Sequence, residues 1–522
     1  MDSRNEKKIN FSCNRCQRGY KIEKYFLAHV NKCEKISCDN DENKSSETTT
    51  TTATPIMSAK SNKDIQVTNE KSKTIGERKD EVTLSSENHE NDSPEFDLGT
   101  VSKHRWGKTD LLSFGESIDH AYEKIVHWRN NLFLLPSGKA GKEFIDEMTR
   151  LIIEWNNDTP MKSISLKALM SMPCLLLQKP SKTSKAKDHL SALERRLVLW
   201  KNGEIEELVH EVETIQSQLS FKGTKRSISE ISKAFRNLMK KGEINSALKL
   251  LSDNMQNGVL PLDSKTLHLL KEKHPPPEDP DPSFSFIDEP KNIHPIRFDT
   301  ITAESIKTAA AKTKGGSGPS GLDAVGWKRI LTSKSFGKSS DDLCTALAYM
   351  GRKLCTKEED PASLEAFLAC RLIPLDKNPG LRPIGVGEVL RRIIGKTITA
   401  VTKEEIMTSV GSLQVCAGHE AGCEALIHAM KNIFENEQSA EAVLLVDASN
   451  AFNSLNRKLF LHNVKVICPV IATFVINCYT SDSRLFITGG GEIKSREGTT
   501  QGDPVAMAIY AISNIQRMNS IN

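Results

Sequence analysis

The sequence predicts an α+β chain built from several domains, and three observations carry that prediction. Residues 1–36 form a compact block bearing Cys and His. Residues 37–100 are rich in Ser, Thr, Asn, Lys and Glu, include the run Thr48 to Thr52, and hold almost no aromatics. After Phe298, stretches with helix spacing alternate with short apolar runs to the end of the chain. At 522 residues the chain has room for two to four domains. Its apolar content of 38% and aromatic content of 6% fit globular parts joined by unstructured stretches. The net charge is only +4, so overall charge does not argue for nucleic acid, and any such binding must come from local patches.

Each block follows from its composition. The segment 37–100 cannot bury enough apolar surface to offset the entropy of ordering, so a disordered linker is expected. Residues 101–272 are expected to be helical. Ile228, Ile231, Phe235 and Leu238 recur at helix spacing after a capping box of Ser227 and Glu230. Gly242 breaks that helix, and Ile244, Ala247, Leu248 and Leu251 begin another that Gly258 ends. Residues 273–297 begin with a Pro-rich run, His274 to Pro282, which reads as a stiff extended linker. Residues 298–522 form the mixed region.

The N-terminus is too polar for a secretory signal. The longest apolar stretch, Val464 to Tyr479, is broken by Lys465, Pro469 and Asn477. It is too short to span a bilayer and reads as a pair of core elements, so no membrane partner is expected. Twelve cysteines are present, scattered singly after Cys38. That pattern suits a reducing intracellular compartment, nucleus or cytoplasm, with buried thiols.

Cys13 and Cys16 stand in C-x2-C, twelve residues separate Cys16 from His29, and three separate His29 from Cys33. This is tetrahedral zinc spacing, with His29 and Cys33 on one helix face. Tyr20 and Phe26 occupy the positions of core aromatics. The block resembles a C2H2 zinc finger with Cys as last ligand, which implies a small ββα fold held by zinc. In that family's register Ile22, Tyr25 and Ala28 would face the bases, and none makes bidentate base bonds. Contact with phosphates through Arg15, Arg18, Lys21, Lys24 or Lys32, or contact with protein, is the expected use.

Four segments of the mixed region belong together. Gly318-Pro319-Ser320-Gly321-Leu322-Asp323 opens it. Arg371 to Lys377 and Arg382 to Gly385 flank the turn Asn378-Pro379-Gly380, as in a β-hairpin. Ala442 to Val446 reads as a buried strand with Asp447 at its tip and Phe452 five residues on. Glu497 to Pro504 reads E-G-T-T-Q-G-D-P, with Asp503 and Pro504 suited to start a helix. Residues 315–515 resemble the fingers and palm of a reverse transcriptase of the non-LTR retrotransposon kind, with Ser320 where Asp is usual.

The resemblance implies RNA-directed DNA polymerisation with an RNA template, a DNA primer and deoxynucleotides. It implies that Arg382 and Lys377 hold the triphosphate, as guanidinium can bond two oxygens at once. Asp447 and the Ala448 carbonyl would bind magnesium, in a site that places two ions about 4 Å apart. Phe452 would lie beneath the sugar, and Gln501 and Gly502 would line the nucleotide pocket. The family's third palm motif, two adjacent aspartates on a hairpin, does not follow Pro504, and Asp341-Asp342 lies too far upstream to replace it. One carboxylate cannot hold two magnesium ions. The expectation is therefore an incomplete fingers and palm domain, truncated before that motif and inactive alone. The alternative is a non-catalytic zinc-finger module for nucleic acid or protein that keeps a palm-like shell. Nuclear residence follows only from the resemblance.

Overall fold

The computed structural model describes residues 11–12, 19–20, 110–219, 228–240, 242–251, 258–289, 294–377, 379–412, 414–415, 417–436, 445–487 and 490–519. The chain divides into two units, Met1–Glu95 and Phe96–Asn522. In the first, β1 (Phe11–Ser12) and β2 (Gly19–Tyr20) pair antiparallel, with Phe11 opposite Tyr20. Cys13, Cys16, His29 and Cys33 lie outside the described residues, as do all of the residues read as a linker over 37–100.

The second unit mixes helices with one four-stranded sheet. It opens with α1 (Leu111–Ile125), α2 (Lys139–Asn156), α3 (Lys162–Leu176), α4 (Ala186–Asn202) and α5 (Ile205–Ser217). Asp110 caps α1 by accepting the Ser113 amide at 2.8 Å. The predicted helical hairpin follows as α6 (Ile228–Lys240) and α7 (Ile244–Leu251), with Gly242 at φ +74 between them. A left-handed residue at that place is what a helix stop requires, and glycine adopts it without steric cost. Then come α8 (Ser264–Glu272), α9 (Ala303–Lys312), α10 (Ala324–Thr332), α11 (Lys338–Thr356) and α12 (Pro361–Leu368).

The predicted hairpin is present as β3 (Cys370–Asp376) and β4 (Leu381–Gly387). Its register runs from Cys370 opposite Gly387 to Asp376 opposite Leu381. Helices α13 (Val389–Val401), α14 (Lys403–Val410), α15 (Gly422–Glu435), α16 (Arg457–Ile467) and α17 (Pro469–Tyr479) follow. The chain then forms β5 (Ser483–Ile487), β6 (Glu492–Ser495) and α18 (Ala506–Asn519). The sheet order is β4-β3-β5-β6, with β3 and β5 parallel from Cys370 opposite Leu485. Past Leu372 the free edge of β3 is covered instead by residues 258–260, where the Leu260 amide donates to the Pro374 carbonyl at 2.9 Å. Pro374 can sit there because it is asked only for a carbonyl.

One apolar core runs from Phe114 to Ile512. The helices of 111–217 and the mixed region therefore share a core, where the sequence suggested separate domains. Trp155 of α2 and Trp327 of α10 are both fully buried. Each such ring contributes about 4–6 kcal/mol of gross burial. The Pro-rich segment works as a strap rather than a spacer. Asn456 donates to the Glu278 carbonyl at 2.8 Å, and Asn463 donates to the Phe284 carbonyl at 3.0 Å. Proline stiffens a strap as well as it stiffens a linker.

Of the strand expected over Ala442–Val446, Ala442 to Leu444 lie outside the described residues, and the described end corrects the expectation: Leu445 and Val446 are in no strand and are 85% and 81% exposed. An apolar run becomes a strand only when a neighbour takes its backbone hydrogen bonds, and among the described residues none does. No helix among the described residues is long and apolar enough to cross a membrane.

Candidate functional site

The turn Gly498–Pro504 is the point on which the distant segments converge. Gly498 has φ +67, and its amide donates to the Leu455 carbonyl at 2.8 Å. A Cβ there would lie 2.1 Å from the Phe452 carbonyl oxygen, so the close approach requires glycine. The next amide, of Thr499, donates to that same Phe452 carbonyl at 2.7 Å. The Phe452 ring packs against Tyr510 of α18 with centroids 5.3 Å apart. On the other side, a Cβ on Gly385 of β4 would lie 3.6 Å from the Thr500 methyl. The hairpin, the turn and the loop after Asp447 thus meet.

Arg457 locks this arrangement. It is the first residue of α16, whose N-cap Asn456 accepts the Leu459 amide at 2.9 Å. Its buried guanidinium donates to the carbonyls of Ser495, Glu497 and Gly498 at 3.0, 3.1 and 3.1 Å. Burial pulls its pKa down to about 10, still charged at neutral pH. Glu497 accepts the Glu278 amide at 2.9 Å and the Arg457 amide, which ties the strap to the same turn.

A second buried pair lies beneath. Arg391 of α13 donates to Asp503 at 2.6 Å, and both side chains are 2% exposed. The Tyr479 hydroxyl donates to the same Asp503 oxygen at 2.7 Å. Although burial opposes it, the Asp503 charge holds Arg391 firmly protonated. Asp503 was expected to cap the helix that begins with Pro504. Its Oδ1 does accept the Val505 amide at 3.1 Å, just ahead of helix α18, which begins at Ala506, while its other oxygen is the counter-ion to Arg391.

The opening turn docks on the start of α13. The buried Glu388 carboxylate accepts the Ser320 amide and the Ser320 hydroxyl, both at 2.7 Å. Burial raises its pKa to about 7, although Ser320 and the Arg371 and Arg392 charges pull the other way. Serine at 320 has a physical reason here, since Asp would set a second carboxylate against Glu388.

The predicted ligands of the nucleotide are less gathered. Lys377 and Arg382 are exposed on the hairpin, Gln501 is half-buried, and Gly502 is exposed with φ +82. Asp447 and Ala448 are exposed in an irregular stretch, and Asp447 makes no hydrogen bond to another described residue. It is not the buried strand tip that the sequence suggested. Two magnesium ions need at least a second carboxylate. Among the described residues, no cluster of three or more His, Cys, Asp or Glu side chains is placed to hold a metal. The stretch around Asp447, as it stands, does not fit a two-ion centre.

Arg391, Arg457 and Glu388 escaped sequence reasoning as a set, though the signal was present. Arg391 falls in register with Ile394 and Ile398, and Arg457 with Phe460 and Val464. A cation on an apolar helix stripe needs a buried partner. No family model matches the chain, and no curated protein matches it.

Proposed function

We propose that residues 298–522 are reverse-transcriptase-type fingers and part of a palm, which bind nucleic acid and do not polymerise by themselves. The observation that carries this reading is the convergence of Gly385, Phe452 and the Gly498–Pro504 turn. These three segments resemble the family's motifs, are separated in sequence, and pack against one another. The lack of polymerisation rests on Asp447, which stands exposed and belongs to no cluster of three or more metal-ligating side chains among the described residues. The test is primer extension by the full chain, with an RNA template, an annealed DNA primer, deoxynucleotides and magnesium. Binding without incorporation is expected. Incorporation that disappears in Asp447→Ala would overturn the inactive reading, and absence of binding would overturn both parts.

The exposed Leu445 and Val446 favour the second reading within the same frame, a non-catalytic module that keeps a palm-like shell. For the N-terminal block we propose that Cys13, Cys16, His29 and Cys33 hold one zinc ion. That rests on their spacing and on the short β1–β2 pair that brackets Cys13 and Cys16. Atomic absorption should give one zinc per chain, and Cys16→Ser should lose it.

A further inference from the structure

Helices α9 and α13 lie side by side and leave a groove of about 600 Å³ between them. Its floor is largely apolar, with Ala309, Ala400 and Val401, and Lys312 and Lys396 stand at its rim with Thr308. At the Lys312 end four cations gather. Lys396 donates to the Lys312 carbonyl at 3.3 Å. One turn earlier on α13, Arg392 donates to the Lys314 carbonyl at 2.9 Å and also holds the Gly316 carbonyl. Lys312 and Lys314 are exposed, whereas Lys396 and Arg392 are half-buried. The charges that act on Lys396 are those of Arg392 and Lys314, both repulsive. Acids are few nearby. Glu304 lines the groove towards the far end of α9, Glu388 faces Arg392 and is committed to Ser320, and Lys307 is taken by Asp341 at 2.6 Å.

This is unusual for a solvated basic face. Two of the four cations are anchored by backbone carbonyls, which fixes their position; Glu388 opposes the charge of Arg392, and the charges acting on Lys396 are only repulsive. Crowded cations held in place at one end of a groove are relieved by an anion that repeats along a line, and a nucleic-acid backbone is such an anion. We propose that the α9–α13 groove is a binding track for the phosphates of single-stranded nucleic acid, held by Lys312, Lys314, Arg392 and Lys396. This rests on the nucleic-acid-binding reading above and assigns that binding to a surface apart from the exposed hairpin residues Lys377 and Arg382.

The experiment measures anisotropy of a fluorescein-labelled single-stranded RNA with the full chain over a range of salt. Lys312→Gln with Lys396→Gln should weaken binding about tenfold at 0.15 M salt. The same double variant should make the slope of log K against log [salt] shallower by about 1.4, from two lost phosphate contacts at about 0.7 each. Hydrogen exchange at residues 302–316 and 389–401 should slow when RNA is added. If the double variant binds as the parent does, with the same slope and a folded thermal transition, the groove is wrong while the broader reading stands. If the parent chain itself fails to bind, both fall.

Discussion

At the scale of single residues, this molecule keeps its charges where they cost most, and Glu388 is the clearest case. A carboxyl whose folded pKa stands near 7, against an ordinary 4.5, binds its proton more tightly when folded. The folded state therefore holds more protons than the unfolded state between those values, and stability falls as pH rises through that window. The size is on the order of 3 kcal/mol for a shift of that extent. Glu388→Gln keeps an acceptor for the Ser320 amide and removes the titration. Its melting temperature relative to the parent should thus rise between pH 5 and pH 8. A difference that stays flat across that range would show that Glu388 does not titrate there. Arg391 gives the complementary prediction. Its removal strands Asp503 in the core, where breaking a buried pair costs about 3–5 kcal/mol. Arg391→Met should lower the denaturation midpoint by that equivalent, and Tyr479 alone cannot neutralise the carboxylate that remains.

At the scale of elements, the Gly498–Pro504 turn decides how loop and hairpin meet, and glycine positions separate two kinds of cost. Gly498→Ala adds both a left-handed alanine and a clash with backbone at 2.1 Å, which no side-chain movement relieves. Gly490 is also left-handed, at φ +116, but has open space around it. Gly490→Ala should cost about 1–2 kcal/mol from backbone strain alone, and Gly498→Ala should cost clearly more by urea denaturation. Equal losses would mean that the Phe452 contact is not held in solution. The same elements show what was legible in the sequence. The β3–β4 hairpin was, because a Pro-Gly turn and flanking apolar alternation are local signals. The α6–α7 pair and the α16–α17 break at Pro469 were local too. Leu445 and Val446, expected to be buried in a strand, were misjudged because a strand's identity depends on a partner elsewhere, and a run of apolar residues does not state whether that partner exists. The buried pairs were missed for the same reason, since Arg391 and Asp503 stand more than a hundred residues apart.

At the scale of the whole molecule, the composition of 273–297 invited a division that the core does not respect. Trp155 donates to Ser363 at 3.4 Å, Asn156 donates to the Ala346 carbonyl at 3.0 Å, and Arg484 of β5 pairs with Glu123 of α1. These contacts join the early helices to the sheet and to the helices under it. The site-bearing half has a small apolar cluster of its own under the sheet, but the larger core stays open without the early helices, because α11 and α12 pack against α2 and α3. A fragment of residues 298–522 should therefore keep helical far-ultraviolet circular dichroism, lose its near-ultraviolet signal and bind ANS, as a chain does when collapse outlasts specific packing. Residues 96–522 should instead melt in one cooperative step. A fragment 298–522 that melts cooperatively with a sharp near-ultraviolet spectrum would show that the early helices are an accessory. In that event the hairpin, the turn and the groove would have to be held by the strap and sheet alone.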